Sequence, residues 1–213
     1  MTDEITMKGI LEPQKGQLFV ITAPSGTGKN TIIEMVRKDL KGLGYSISHT
    51  TRAPRNGEIN GVHYYFVGKK EFEKMIQAQE FVEWAVVYDQ LYGTSISSVR
   101  SAQVSGKDVL LDLDIQGARQ IKKRFPDSTS IFIIPPSLQA LRERLEKRSS
   151  HDGTNIDLRM TEAVEEIREC RNFDFLIVND DLRQAVREVQ AVIVAVKAQT
   201  KNRLPSIEQM LDI

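Results

Sequence analysis

This 213-residue sequence has a single cysteine, no net charge and no long apolar run. It holds one cysteine, Cys170, so no disulfide can form within the chain and no cysteine cluster is available for zinc. Lysine and arginine equal aspartate and glutamate at 29 each, which argues against general binding of nucleic acid. No apolar run approaches the roughly 18 residues of a membrane helix, and the N-terminus lacks a basic-then-apolar signal. We therefore expect a cytoplasmic protein with neither a membrane nor a nucleic acid as partner.

The rest of the sequence alternates short apolar runs with helical patterns. Leu18–Thr22 and Phe175–Val178 predict buried strands, and residues 181–198 carry apolar side chains on one helical face. Helices between short buried strands are typical of a parallel sheet covered on both sides, which binds ligands at the carboxyl ends of its strands. Further strands are predicted at 45–48, 64–67, 81–87, 108–114 and 130–134, and further helices at 31–40, 71–78, 96–104, 116–125, 138–148 and 156–171.

Residues 20–31 combine the end of a strand, a loop of small residues and the start of a helix. Gly26 and Gly28 can adopt backbone angles closed to other residues, so the loop N–H groups can surround a polyphosphate. The helix start adds unpaired N–H groups and the positive end of its dipole, and Lys29 adds a mobile positive charge. The alternative is an ordinary turn that happens to contain glycine and lysine. It is disfavoured because four apolar residues precede the loop and a helical pattern follows it. The predicted phosphate-binding residues are Ala23, Pro24, Ser25, Gly26, Thr27, Gly28, Lys29, Asn30 and Thr31.

The loop departs from the common G-x-x-x-x-G-K-[ST] pattern at two positions. Ala23 replaces the first glycine, and we expect its extra methyl group to be tolerated. Asn30 replaces the Ser or Thr that usually binds Mg²⁺, and Thr31 offers a hydroxyl one position later. Two arrangements stay open: the Asn30 amide reaches the ion or its water, or the nucleotide and water hold the ion.

A second polar segment, residues 48–58, places Arg52 and Arg55 three residues apart with Pro54 between them. Two guanidinium groups can clamp one phosphate bidentately, which lysine does less well. On spacing alone, a phosphate clamp and a solvated basic loop are equally good explanations.

Several blocks of this sequence, in order, resemble those of guanylate kinases, which phosphorylate GMP with ATP. The blocks are 23–29, 48–64, 80–84, 92–94, 111–117, 135–137 and 177–181. The resemblance implies an α/β fold: a P-loop three-layer fold with a parallel central sheet, an inserted GMP-binding lobe and a helical lid. It implies a kinase-like domain over 16–196, with its core at 16–48, 95–148 and 173–196, the GMP-binding lobe at 49–94 and the lid at 149–172. Residues 1–15 and 197–213 are then a leader and a C-terminal tail.

The resemblance also implies substrates and residue roles. The substrates are ATP and GMP, with dGMP also accepted, in purine nucleotide metabolism and GMP recycling; Mg²⁺ enters with ATP, without a dedicated protein metal site. The protein is expected to be a monomer or homodimer. The GMP-binding residues are Ser48, Arg52, Arg55, Tyr64, Glu83, Tyr92, Thr94 and Asp112. The catalytic residues are Lys29, Arg52, Arg144, Arg148 and Arg159, and Asn179 joins the loop in binding ATP near the adenine.

The chemistry of guanine supports the role implied for Glu83. Guanine presents two adjacent donors, N1–H and the 2-amino group, which a carboxylate can accept and which adenine cannot supply. Without the resemblance, an exposed glutamate on an edge strand is the plainer explanation. Asp112 and Asp114 follow one buried strand, and either can face the substrate or cap the next helix. Without the resemblance, ordinary ion pairs are the commoner use of arginines placed like Arg144, Arg148 and Arg159.

Two other functions remain open at this point. One is a binding module of the same fold that captures phosphopeptides, which Lys29, both clamp arginines and the short chain disfavour. The other is a kinase of the same fold acting on a different phosphate acceptor, such as a ribose bisphosphate, which Ser48 and Glu83 disfavour.

Overall fold

A computed structural model of the protein describes residues 16–87, 89–104, 106–149 and 155–211. The leader predicted at 1–15 lies outside the described residues. The strands are β1 (Leu18–Thr22), β2 (Gly44–Tyr45), β3 (His49–Thr50), β4 (Tyr65–Phe66), β5 (Phe81–Val87), β6 (Gln90–Ser95), β7 (Val109–Asp112), β8 (Thr129–Ile134) and β9 (Phe175–Val178). The described α-helices are α1 (Lys29–Asp39), α2 (Lys69–Gln77), α3 (Ile96–Val104), α4 (Ile115–Arg124), α5 (Leu138–Ser149), α6 (Ile156–Arg168), α7 (Leu182–Lys197) and α8 (Thr200–Leu211).

The central sheet has five strands in the order β2-β7-β1-β8-β9, and every neighbouring pair is parallel. Because side chains alternate along a strand, β1 serves both faces of this sheet. Phe19 and Ile21 pack with α1 and α7, whereas Leu18 and Val20 pack with α3 and α4. The predicted α/β fold with a parallel central sheet and helices on both sides is thus confirmed.

A second, four-stranded sheet has the order β4-β3-β6-β5 and lies within the segment predicted to bind GMP. Here the strand predicted at 45–48 was wrong. The chain leaves the central sheet after Tyr45 and joins the second sheet at His49, so two short strands replace one. Strand β6 was not predicted, and it pairs antiparallel with β5. Phe72 of α2 stacks on Phe81 of β5, with ring centroids 4.5 Å apart, and gives this sheet its own apolar contact.

Helix α6 packs against α5 through a small apolar cluster of Leu141, Leu145, Met160 and Ala163. The helix predicted at 156–171 ends at Arg168, and a 3-10 turn covers Glu169–Asn172. Within the predicted tail, Thr200–Leu211 is helical. Among the helices that the structure describes, none has the length and apolar character to cross a membrane.

Candidate functional site

The loop after β1 has the backbone of an anion-binding site. Gly26 and Gly28 have φ values of +86° and +98°, a region that other residues rarely adopt. Gly28 is the N-cap of α1, and no side chain among the described residues caps that helix start. The first N–H groups of α1 are therefore available to an anion, at the positive end of the helix dipole.

Two predicted site residues, Asn179 and Arg144, hydrogen-bond to the backbone of the loop. Asn179, only 5% exposed, donates through Nδ2 to the carbonyl oxygen of Thr27 at 2.6 Å. Arg144 donates to the same oxygen at 3.3 Å and to the backbone oxygen of Asn179 at 3.0 Å. These contacts fix the shape of the loop. The predicted positions of Asn179 at adenine and Arg144 at the transferring phosphoryl group stay predictions.

Lys29 lies at the front of the loop, beside the end of β7. Its Nζ is 2.5 Å from Asp112 Oδ1 and donates to the carbonyl oxygen of Leu113 at 3.0 Å. Both side chains are largely buried, so the ammonium group is held in place beside the loop. Asp112 therefore contacts the phosphate-binding lysine, and its predicted role in binding GMP stays a prediction.

In the predicted clamp, the guanidinium group of Arg52 is paired with a side-chain carboxylate of the protein itself. Two of its nitrogens donate to the two carboxylate oxygens of Glu58, both at 2.9 Å. It also donates to Ala53 O at 2.7 Å and to Tyr92 Oη at 3.2 Å, so four of its five N–H groups are engaged. Glu58 accepts from the backbone N–H of Arg55 at 2.7 Å as well. Burial acts to raise the pKa of Glu58, but these hydrogen bonds outweigh it and lower that pKa.

Tyr64 faces the guanidinium group of Arg52, which lies 5.4 Å from its ring centroid. Burial, and secondarily the charge of Asp112, raise the pKa of Tyr64, so its phenol stays protonated at neutral pH. Tyr64 and Tyr92 pack edge to face, with centroids 5.9 Å apart. Two phenolic hydroxyls and two guanidinium groups thus lie together, a set suited to a phosphate.

The other end of the site carries the groups expected to read a base. Glu83 is 4% exposed, and Ser48 Oγ lies 3.2 Å from Thr94 Oγ1 in a hydrogen bond. Burial raises the pKa of Glu83 to about 7; a hydrogen bond from Thr94 opposes this rise, and the nearby Asp114 adds to it. A buried carboxylate with so high a pKa is poised to accept the donors of a ligand.

Two more acidic residues line the site: Asp114, for which the sequence left a substrate contact or a helix cap open, and Glu166, which was not predicted. Asp114 caps α4 by accepting from the N–H of Gly117 at 2.8 Å, and burial raises its pKa. Glu166 reaches the site from α6; burial raises its pKa to about 7, while Lys29 opposes and Asp114 adds to that rise. No local motif in the sequence marks Glu166, because its place at the cavity follows from the packing of α6 over the site.

These residues surround one cavity of about 210 Å³. The predicted residues that line it are Ala23, Pro24, Ser25, Lys29, Asn30, Ser48, Arg52, Arg55, Tyr64, Glu83, Tyr92 and Asp112. Thr94 lies buried behind Ser48. The other predicted residues do not line the cavity: Gly26, Thr27, Gly28, Thr31, Arg144, Arg159 and Asn179. The side chain of Arg148 lies outside the described part of the structure.

A parallel sheet, a glycine-rich loop at its carboxyl edge and a lysine opening the next helix define a P-loop nucleotide-binding protein. The sequence model of guanylate kinases matches residues 15–196, and the chain belongs to the guanylate kinase family. It is 50% identical to the guanylate kinase of Carboxydothermus hydrogenoformans over 187 residues, which cover 88% of this chain and 92% of that one.

Two further proteins to which the chain is similar are also guanylate kinases. The guanylate kinase of Symbiobacterium thermophilum is 46% identical over 199 residues, covering 93% of this chain and 94% of that one. The crystal structure of guanylate kinase from Anaplasma phagocytophilum superposes with a TM-score of 0.75 at 30% identity, covering 92% of this chain and 95% of that one.

Proposed function

We propose that this protein is a guanylate kinase that transfers a phosphoryl group from ATP to GMP, giving ADP and GDP. The observation that carries the proposal is that one cavity joins the lysine of the phosphate-binding loop to a buried, base-reading carboxylate. Lys29 and Glu83 both line this cavity, and so do Arg52 and Arg55. The family to which the chain belongs supports the same activity.

The reaction needs alignment and positive charge more than covalent chemistry. An oxygen of the GMP phosphate attacks the γ-phosphorus of ATP, and the bond to the β–γ bridging oxygen breaks, leaving its electrons on ADP. A GMP phosphate oxygen is already anionic at pH 7, so no general base is needed. Lys29 and the loop N–H groups hold the ATP phosphates, and Arg52 and Arg55 hold the phosphate of GMP. Arg144 and Arg148 of α5 and Arg159 of α6 are proposed to close over the transferring phosphoryl group.

Guanine is proposed to bind between Glu83 and the hydroxyls of Ser48 and Thr94. Ionised Glu83 accepts from N1–H and the 2-amino group, and the hydroxyls donate to the acceptor edge. Asp114 lies next to Glu83 and is the second carboxylate within reach of that donor edge. Adenine would leave the buried carboxylate unpaired, which is costly, so AMP is rejected.

The oxygen donors beside the loop suit a hard cation such as Mg²⁺. Asn30 and Asp114 line the cavity with oxygen atoms, and either would hold the ion through its side chain or a water. Among the described residues, no group of three or more His, Cys, Asp or Glu side chains is arranged to hold a metal. We therefore propose that ATP brings Mg²⁺ and supplies most of its ligands; the ion neutralises phosphate charge during transfer.

A coupled assay for ADP release tests this proposal, with ATP and Mg²⁺ present and GMP, dGMP, AMP, UMP and dTMP supplied in turn. Release with GMP and dGMP alone is expected. Release with another acceptor would overturn Glu83 as the specificity residue while keeping the loop. Binding of GMP by calorimetry without any release would favour the binding module instead.

A further inference from the structure

Helix α4 lies along strand β5, and a ladder of side chains holds the two together. Gln120 bonds both backbone groups of Trp84: Trp84 N donates to Oε1 at 3.3 Å, and Nε2 donates to Trp84 O at 2.8 Å. One turn earlier on the helix, Gln116 donates to Val86 O at 3.2 Å. One turn later, Arg124 donates to the carbonyl oxygen of residue 82 at 3.4 Å. The distance between helix and strand is therefore fixed on both sides of Glu83.

Gly117 lies inside this ladder, directly opposite the carboxylate of Glu83. A β-carbon built on Gly117 would be 2.6 Å from Glu83 Oε2, closer than real β-carbons come, and 3.1 Å from its Cδ. The same carbon would be 3.2 Å from Asp114 Oδ1. Gly117 sits within a regular helix, where alanine is the better residue, so the backbone gives no reason for glycine here. The Glu83 carboxylate instead occupies the space that a side chain at this position would need.

We propose that Gly117 is a specificity-determining positioning residue, because its missing side chain is the space in which the Glu83 carboxylate sits. This inference rests on the proposed function, since it assigns Glu83 to the guanine. Glu83 is almost fully buried, so a carboxylate pushed off the helix can move only toward the substrate or against its Thr94 partner. Either movement misaligns the two acceptor oxygens with the donors of guanine, and neither reaches the loop that holds ATP.

The test compares Gly117→Ala with Gly68→Ala as a matched control. Gly68 precedes α2 in extended backbone, and a β-carbon there meets nothing within 4 Å. We expect Gly117→Ala to raise KM for GMP at least about tenfold and to leave KM for ATP within about twofold. Its melting temperature is expected to change by only a few degrees, because the helix preference of alanine, about 1 kcal/mol, offsets part of the cost of moving the carboxylate. Gly68→Ala is expected to match the unchanged protein in both KM values and to melt slightly lower, because Gly68 is the N-cap of α2 and alanine is a poorer N-cap.

Repeating the substitution in a Glu83→Asp variant distinguishes a positioning role of Gly117 from a general disturbance of the structure. Glu83→Asp withdraws the carboxylate by one methylene group, so the added β-carbon no longer meets it. In that background, Gly117→Ala is expected to change KM for GMP less than about threefold, which is a coupling between the two sites. The same factor in both backgrounds, an unchanged KM for GMP, or an equal rise of both KM values would overturn the inference. Failure of the unchanged protein to turn over GMP would instead refute the proposed function.

Discussion

Replacing Glu83 by glutamine is expected to make the protein more stable and a poorer kinase at the same time. The pKa of Glu83 rises from its ordinary value of 4.5 to about 7, chiefly through burial. That rise corresponds to about 3 kcal/mol by which folding disfavours the ionised carboxylate above pH 7. Glutamine keeps the shape and removes the charge, so at about pH 8 we expect a gain of about 3 kcal/mol in the free energy of unfolding.

The size of this gain in stability depends on pH. The folded protein binds a proton at Glu83 more tightly than the unfolded chain does, so stability falls as pH rises from 4.5 to about 7. Below that window both states are protonated, and the glutamine has no advantage. Melting curves of Glu83→Gln against the unchanged protein are expected to differ by up to about 10 °C near pH 8 and by only about 2–3 °C near pH 5.

Activity is expected to change in the opposite direction. An amide offers one acceptor where guanine needs two, so kcat/KM for GMP is expected to fall at least about 100-fold, or about 3 kcal/mol, with KM for ATP unchanged. Glu73→Gln is the control, because Glu73 lies exposed on α2 of the same lobe. A melting temperature that falls near pH 8, or a shift equal at both pH values, would refute the assignment of Glu83 as a buried ionised group.

Lys29→Ala is expected to lower kcat at least about 100-fold and leave GMP affinity by calorimetry within about threefold, since the lysine serves the ATP site; a large loss of GMP affinity would contradict two separate sites. The kcat/KM for GMP is expected to fall about tenfold per pH unit below about pH 7, where Glu83 takes up a proton, and Glu83→Gln is expected to lack this component. Asn179→Ala removes the buried hydrogen bond to Thr27, so thermal unfolding is expected to show a loss of about 1–3 kcal/mol together with a raised KM for ATP. Asn30→Ser is expected to stay active with tighter dependence on Mg²⁺ in titrations, and an inactive variant would show that the amide itself is required.

Three elements have the predicted bounds, because a local apolar or helical pattern marks them: Phe81–Val87, Ile96–Val104 and Phe175–Val178. The prediction that Phe175–Val178 is a buried strand was wrong: it lies at the edge of the central sheet, and of its four residues only Ile177 is buried. Gln90–Ser95 carries no alternation of apolar and polar residues, and its strand exists because β5 and β3 pair with it on either side. Pairing of that kind is a tertiary property that a local pattern does not show.

The site was predictable in its residue types and less so in their partners. The loop around Lys29 has a local sequence signature, but its pairing with Asp112 depends on two strands meeting at one edge of the sheet. The hydrogen bonds from Arg52 to Glu58 span a six-residue loop whose shape the sequence does not fix. Glu166 reaches the cavity only because α6 folds over it, which no spacing within the helix reveals.

The ion pairs of the two phosphate-binding cations determine how the cavity responds to ionic strength. Lys29 forms an ion pair with Asp112, and Arg52 forms one with Glu58. A nucleotide phosphate that binds at these positions therefore replaces a carboxylate as the partner of each cation. It does not meet an unpaired positive charge. Free phosphate and other small anions have little to gain from such an exchange. GMP and ATP overcome it with the contacts of their bases and sugars, so their affinities should weaken with added salt less steeply than a count of the cations in the cavity suggests.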